Sequence, residues 1–346
     1  MTNVRAIAKL AGVSITTVSR VLNNHQHVSD DARERVLSAS QKLSYNQSVG
    51  RRSSNNIAYV YTGDPSPCSP FDIEILKGLQ LGLQDTHHDL VIIEAERSRL
   101  PNETYAQMFL RKGISGAILR TTERSHAECE RVAAEDFPLL VVADHFDNPK
   151  VNFIYCDARE ACRDAVEYLV GMGHRSIAFC MNVVDDTDKL DRLASYRNTL
   201  SELGIPFDER LVMRVPASRD GGIHLMRRLA AMPTRPTALF LADPFPAVGV
   251  LSEARRLGVA IPGDLSVLGF DDSDLRLTVV PQLTAVCQDT VALAREALAA
   301  LLSIMQDPGK DRPRIQKALR CTLEIHETTA APAALSGCSP AGIGSP

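Results

Sequence analysis

The stretch VRAIAKLAGVSITTVSRVLNNHQHVSDDARERVLSASQKLSY, residues 4–45, decides the fold of the first part of this 346-residue chain. Its first eight residues repeat apolar side chains at the spacing of one helix face. Gly12 suits the left-handed residue that ends a helix, and Ser14 suits the cap that begins the next. A third apolar repeat follows Ser29. Three short helices, with a tight glycine turn between the first two, predict an all-α helix-turn-helix head.

The second predicted helix carries the side chains that we expect to contact DNA. Its first residues would enter the major groove, where Ile15 and Thr16 face base edges and Arg20 reaches guanine O6 and N7. Neighbouring hydroxyl groups can bond phosphates and so fix the position of the helix. These hydroxyl groups belong to Ser14, Thr17 and Ser19. The pattern alone equally allows a three-helix bundle whose second helix is simply solvated.

Charge is unevenly distributed along the chain. Residues 1–56 contain eight Lys and Arg against three acidic residues, a net charge of +5, whereas the whole chain carries −4. The remaining residues therefore carry −9. A basic head on an acidic body is typical of phosphate contact confined to one end of the chain.

From Ile57 onward, short β-branched runs alternate with helical stretches. This alternation predicts two α/β lobes, each a parallel sheet covered by helices on both faces. Such sheets bind ligands beyond the carboxyl ends of their strands. Three predicted strands end at Asp144, at Asp243 and at the pair Asp271-Asp272, so we expect a polar cleft in which aspartates accept hydrogen bonds from sugar hydroxyls. A strand-end aspartate can also serve only as a helix cap.

The head closely resembles that of the LacI/GalR family of bacterial regulators. It matches the family core A-x-L-A-G-V-S-x-x-T-V-S-R-V-L-N and the following V-S-x-x-x-R-x-x-V nearly residue for residue. Family motifs continue in SPFDIEILKGL (69–79), VNFIYCDAREACRDAVEYLVGMGHRSIAF (151–179) and IPGDLSVLGFDD (261–272). The resemblance implies a periplasmic-binding-protein-like pair of lobes that closes on an effector and works as a homodimer.

The resemblance also assigns site residues by position. In the head, Asn23 and His27 would meet DNA. In the body, the effector contacts would fall on Asp144, Arg192, Asp271 and Gln288, with Phe71 and Asp72 lining the first lobe.

The body departs from the family in two ways. The family sequence A-N-D is Ala242-Asp243 here, which removes a common polar ligand group. The chain also has no Trp, so a ring that stacks on a sugar would have to come from Phe71, Phe245 or Phe270.

The linker departs from the family pattern Y-x-P-N-x-x-A-R-S-L. Pro, Asn, Ala and Leu of that pattern are missing after Tyr45, and Gly50 with the following Ser-Ser-Asn-Asn run weakens any helix. We therefore expect Arg51 and Arg52 to contact the DNA backbone or a narrow minor groove, without an inserted Leu. A flexible, solvated basic linker is the alternative.

These patterns divide the chain into four parts. They are a helix-turn-helix domain at 1–45, a shortened linker at 46–56, an effector-binding and dimerisation domain at 57–326 and a disordered tail at 327–346. Within the body, the N-lobe takes about 57–156 and 290–310, the C-lobe about 157–285, and closing strands run to 326.

The sequence carries no recognisable catalytic constellation, metal-ligand cluster or cofactor-binding loop. It also shows neither a signal peptide nor a membrane span, which predicts a cytoplasmic protein. These patterns predict a transcription regulator that responds to a small effector, which we expect from the polar cleft to be a carbohydrate. The family resemblance implies a repressor that works as a homodimer, and two identical heads then imply a near-palindromic operator. A transcription activator, a solute-binding module of the same fold and an α/β enzyme are the alternatives.

Overall fold

The chain divides into two compact units, residues 1–54 and 55–346. In this computed structural model, the residues described are 4–22, 28–42, 55–62, 69–121, 126–133, 135, 137–183, 187–306 and 314–333. No helix in these ranges is long and apolar enough to cross a membrane.

The first unit is the predicted helix-turn-helix. Its helices are α1 (Val4–Ala11), α2 (Ile15–Leu22) and α3 (Asp30–Lys42). Gly12 has a φ of +64°, the left-handed conformation that lets the chain turn sharply between α1 and α2. One fully buried side chain from each helix, Ile7, Val18 and Val36, meets in a single small core. The apolar spacing of the sequence therefore predicts this unit correctly.

The N-lobe of the second unit is built on a parallel sheet with the strand order β11-β5-β4-β3-β1-β2. Its strands are β1 (Asn56–Tyr61), β2 (Asp89–Glu94), β3 (Ile114–Arg120), β4 (Leu139–Val142), β5 (Phe153–Asp157) and β11 (Gln316–Arg320). Its helices are α4 (Pro70–Leu83), α5 (Ala95–Ser98), α6 (Tyr105–Arg111), α7 (His126–Ala133) and α13 (Thr290–Gln306). Separate apolar cores cover the two faces of the sheet, as its β-branched strands predict.

The C-lobe repeats this design with the strand order β12-β10-β9-β8-β6-β7. Its strands are β6 (Ile177–Asn182), β7 (Val212–Val215), β8 (Ala238–Leu241), β9 (Ser266–Asp271), β10 (Thr284–Cys287) and β12 (Thr322–Glu324). Its helices are α8 (Arg159–Gly171), α9 (Thr187–Glu202), α10 (Arg219–Ala230), α11 (Phe245–Leu257) and α12 (Leu275–Thr278). The described pairs are parallel except for β10 and β12, which are antiparallel.

The chain crosses between the lobes after β5, between β10 and α13, and between β11 and β12. After the second crossing, α13 returns to the N-lobe and packs on α4. Gly78 makes that contact close, because a Cβ there would lie 2.6 Å from the Cβ of Ala294. The two-lobed α/β architecture expected from the strand–helix alternation is thus confirmed.

The tail begins later than the sequence predicts. The sequence predicts a disordered tail from residue 327, but residues 327–330 are hydrogen-bonded to β9, β10 and the residues beside them. Thr328 is fully buried, and its Oγ1 donates to the carbonyl of Val267 at 2.6 Å while it accepts from the Thr284 amide at 2.9 Å. Composition misled here, because small polar residues can be ordered when the backbone of a neighbouring strand supplies their partners.

Candidate functional site

The N-terminus of α2 is held by a side-chain cap. The Thr17 amide donates to Oγ of Ser14 at 3.0 Å, and the two hydroxyl oxygens lie 2.8 Å apart. This is the N-cap that the sequence predicts, and it satisfies a backbone donor that the first turn of a helix would leave open. Ser14 and Thr17 therefore fix the start of α2.

The outer face of α2 presents the side chains predicted to read DNA. Ile15 is 50% exposed, an unusual position for a large apolar residue, and Thr16, Ser19 and Arg20 are exposed beside it. The opposite face, with Val18 and Val21, is buried in the core of the head. Burial of one face thus directs the other outward. The other predicted DNA contacts, Asn23, His27, Arg51 and Arg52, lie outside the described residues.

In the body, the carboxyl ends of the N-lobe strands face the C-lobe. His145, just after β4, lies with Nε2 3.0 Å from Oδ2 of Asp191 on α9 of the other lobe. The hydrogen bond to Asp191 raises the pKa of His145. Arg159, which follows the first crossing, donates to Tyr155 Oη at 3.0 Å and lies 4.0 Å from Asp191. The His145–Asp191 pair joins the two lobes directly, and we call the space between the lobes beside it the interlobe cleft.

Asp72 on α4 is buried, and both of its carboxylate oxygens accept hydrogen bonds from protein groups. Its Oδ1 accepts from Tyr59 Oη at 2.9 Å, and its Oδ2 accepts from the hydroxyl of Ser69. Arg120, the last residue of β3, lies with Nε 3.6 Å from Oδ1 of Asp72 and its guanidinium 4.8 Å from the centre of the Phe71 ring. Asp72 therefore supports Arg120 at the N-lobe edge of the cleft.

Asp144 is occupied in the same way. Its Oδ1 accepts from the His145 amide at 2.8 Å, and its Oδ2 lies 3.0 Å from Nδ1 of His126. The Asp144 side chain is 3% exposed, whereas that of His126 is 34% exposed. The ring of His126 also stacks on Phe146 with centroids 4.1 Å apart. The predicted aspartate thus lies behind a histidine.

On the C-lobe, contacts from several sides hold Arg192 of α9 in place. Its Nη1 donates to the carbonyl of Ala242 at 2.7 Å, its Nη2 lies 4.0 Å from Asp188, and its guanidinium sits 3.5 Å from the centre of the Phe270 ring. Asp243 has Lys189 as a neighbour at 3.7 Å. Phe270 is fully buried with the Arg192 guanidinium against its ring, so that ring is not available to stack on a ligand.

Asp271 is saturated by the turn that follows β9. It accepts from the backbone amides of Ser273, Leu275 and Arg276, and from Nη1 of Arg276 at 3.0 Å. Four donors occupy the acceptor positions of one carboxylate, so Asp271 ties β9 to α12.

The adjacent Asp272 faces the other predicted residues. Gln288 donates through Nε2 to its Oδ1, and Arg192, Asp243 and Asp271 are close enough to influence its ionisation. Burial is the largest cause, and it raises the pKa of Asp272 to about 6. Gln288 therefore contacts Asp272, and Arg192 and Asp243 lie near enough to influence its charge. The strand-end pattern includes Asp272, whereas the family resemblance assigns the effector contact to its neighbour Asp271.

Sequence reasoning also missed Arg120 and His126. A signal for Arg120 existed, because it ends a predicted strand as the chosen aspartates do. No local signal pointed to His126, which meets Asp144 eighteen residues later only because β3 and β4 are adjacent. Within the described ranges, no three or more His, Cys, Asp or Glu residues are arranged to hold a metal ion.

Comparison with known proteins gives matches over both units. Residues 3–48 match the bacterial regulatory proteins of the lacI family, and residues 166–329 match the periplasmic binding protein-like domain. The HTH-type transcriptional repressor CytR of Escherichia coli (strain K12) is 30% identical over 333 residues, which cover 94% of this chain and 95% of CytR. The HTH-type transcriptional regulator DegA of Bacillus subtilis (strain 168) is 28% identical over 85% of this chain and 89% of its own.

A solved structure agrees with these relatives. The complex of the transcriptional regulator CelR with cellobiose superposes with a TM-score of 0.68 at 26% identity, covering 95% of this chain and 100% of that one. The similarity therefore includes the head and the two lobes together.

Proposed function

This chain belongs to the LacI family of bacterial regulatory proteins, and from that premise we propose that it is a transcriptional repressor whose affinity for its operator is controlled by a sugar or sugar derivative. The observation that carries the proposal is the outer face of α2. There, Ile15, Thr16 and Arg20 are exposed on a helix whose start is capped by Ser14. In helix-turn-helix domains, the first residues of the second helix contact base edges in the major groove.

The repressor assignment and the sugar class rest on relatives. CytR is a transcriptional repressor, and the CelR structure contains cellobiose. The interlobe cleft supports the same class, because it brings together polar groups that can exchange hydrogen bonds with hydroxyls. On the C-lobe these are Asp272, Gln288 and Arg192. We therefore propose that the effector binds between the lobes.

In this proposal, effector binding and operator binding are thermodynamically linked. A sugar that favours one arrangement of the lobes shifts operator affinity by the coupling free energy between the two sites, typically about 1–3 kcal/mol. We propose that the protein acts as a homodimer, so that two heads meet the two halves of a near-palindromic operator. We also propose that it works in the cytoplasm and catalyses no reaction.

The linker contributes to DNA contact in this proposal. Arg51 and Arg52 would meet phosphates or a narrow minor groove. Replacement of both by Ala is expected to flatten the dependence of operator affinity on salt concentration, because fewer counterions are then released on binding. An unchanged slope in a salt titration would refute their role.

The central experiment separates the two functions by mutation. An operator is first selected from random duplexes with the full-length protein, and its affinity is measured by fluorescence anisotropy with and without ribose, glucose or cellobiose. Arg20→Ala is expected to remove sequence preference, since a bidentate contact to guanine discriminates by about 1–3 kcal/mol. The matched control Arg35→Ala removes the same charge from α3, where Arg35 is exposed and paired with Asp31.

The cleft is tested in the same assay. Arg192→Ala is expected to leave operator affinity intact and to abolish the response to the sugar, whereas Arg197→Ala, at an exposed site on the same helix, should change neither. If the wild-type protein prefers no duplex over random competitor, with or without sugars, the proposed function is wrong.

A further inference from the structure

His126 lies at the carboxyl edge of the N-lobe sheet, facing the interlobe cleft. It is the first residue of α7, which follows β3, and its partner Asp144 follows the neighbouring strand β4. The residue after Asp144 is His145, which contacts Asp191 of the C-lobe. The strand order therefore places His126 at the same edge of the sheet as His145, which contacts the opposite lobe.

Two contacts fix the imidazole of His126. Nδ1 lies 3.0 Å from Oδ2 of Asp144, and the ring stacks on Phe146 at a centroid distance of 4.1 Å and an angle of 17°. Phe146 is buried, so the stacked face is closed to ligand. With one ring nitrogen and one face occupied, Nε2 is the polar atom of this ring that remains for the cleft.

Burial keeps Asp144 away from a ligand in the cleft. Its side chain is 3% exposed, and both of its oxygens accept hydrogen bonds within the protein. His126 is 34% exposed and stands in front of it. Asp144 therefore acts on a ligand only by orienting His126, much as a carboxylate orients a histidine that binds a metal ion.

We infer that His126 is a specificity-determining residue of the effector site and that Asp144 is its positioning residue. The inference rests on the proposed function, because it names an effector contact. A carboxylate at Nδ1 requires a hydrogen on Nδ1, and the neutral ring then presents Nε2 as an acceptor. The effector group at this point is a hydrogen-bond donor, namely a hydroxyl of a sugar.

The first test reads the ring itself and needs no ligand. Full-length protein labelled with ¹⁵N-histidine is examined by NMR near neutral pH, with His126→Ala to assign the signal. Hydrogen on Nδ1 and none on Nε2 is the expected tautomer, and Asp144→Asn is expected to populate the opposite one. Wild-type His126 with its hydrogen on Nε2 would overturn the inference.

The second test measures binding of ribose, glucose and cellobiose by calorimetry. For the sugar that binds the wild type most tightly, His126→Ala is expected to weaken binding about tenfold, and the same sugar should move the Nε2 resonance of the wild type. His126→Gln, which can place an amide oxygen near the position of Nε2, should recover part of the affinity. His87→Ala, an exposed histidine in a turn, is the matched control.

The outcomes separate this inference from the proposed function. If His126→Ala binds the sugar as the wild type does, the inference is wrong, while a sugar response of wild-type operator binding leaves the proposed function standing. If the sugar binds and His126→Ala weakens it, but operator affinity never changes, the proposed control is wrong and the role of His126 stands.

Discussion

Nε2 of His145 and Oδ2 of Asp191 lie 3.0 Å apart, and this pair joins the N-lobe to the C-lobe. The two residues are 46 positions apart in sequence, on a loop after β4 and on α9. His145 also packs against the ring of Tyr155, with centroids 4.8 Å apart. The pair is a direct contact between the two lobes. A ligand that closes the cleft would keep this contact, and one that opens the cleft would break it.

The first prediction concerns the pH dependence of this contact. The hydrogen bond to Asp191 raises the pKa of His145 above that of an unfolded histidine, which is ~6.5. A raised pKa means that the contribution to stability is fully present below pH ~6.5 and is lost as the pH rises through the folded value. His145→Gln is therefore expected to lower Tm more at pH 5.5 than at pH 8.5. The corresponding loss in the free energy of unfolding at the lower pH is up to about 1 kcal/mol.

Thermal unfolding across this pH range checks that prediction, with small-angle scattering as a second measurement. Loss of the pair should increase the radius of gyration of the ligand-free protein at low pH. A difference in Tm between wild type and variant that grows with rising pH would contradict the assignment.

The second prediction has the opposite sign and concerns His174. This residue is 1% exposed, with Nε2 2.9 Å from the carbonyl of Ala330 and Nδ1 2.8 Å from Oγ1 of Thr237. Burial lowers the pKa of His174. Its contribution is therefore present above the unfolded pKa and is lost as the pH falls through the folded one. His174→Gln should lower Tm more at pH 7.5 than at pH 5, and an equal loss at both values would refute the burial argument.

The third prediction concerns the ordered end of the chain. A protein ending at residue 326 loses the partners of the Val267 and Thr284 amides, which bond to Thr328. Each buried group left without a partner costs about 1–3 kcal/mol, so Tm should fall clearly. A protein ending at residue 333 keeps all of these bonds and is the control. Equal thermal stability of the two truncations would mean that residues 327–333 contribute nothing.

The fourth prediction concerns the contact between α10 and α11. A Cβ on Gly249 would lie 1.9 Å from the carbonyl oxygen of Arg219, and backbone atoms cannot move away without shifting a helix. Gly249→Ala is expected to destabilise the fold by about 1–3 kcal/mol or more, measured by urea unfolding. Gly171→Ala is the matched control, because beyond its chain neighbours and the nearby backbone of its own helix no atom lies within 4 Å of the added Cβ. A neutral Gly249→Ala would show that α10 and α11 are packed less closely.

Much of the fold could be predicted because its signals are local. The turn at Gly12 and the cap at Ser14 depend on residues within a few positions of each other, and both are found as expected. The alternation of strands and helices likewise predicts the two lobes. The sequence also predicts a helix at 290–305 as part of the N-lobe, and α13 packs there on α4.

The state of each site residue was not predictable in this way. Asp271 and Asp272 are adjacent and chemically identical, yet the first is saturated by a turn and the second faces Gln288. Asp144 looks free in sequence and is covered by His126 in space. Which lone pairs are used depends on partners brought in from other strands, and no spacing rule within one segment contains that information.

The sequence by itself determined the kind of molecule: a capped, basic helical head and an α/β body whose polar residues gather where strands end. Those properties follow from short-range sterics, capping and apolar spacing, which act within one or two turns of chain. Tertiary structure alone decided that His126 stands before Asp144 and that His145 reaches Asp191. Hydrogen bonds between distant segments form only once packing has set their distance.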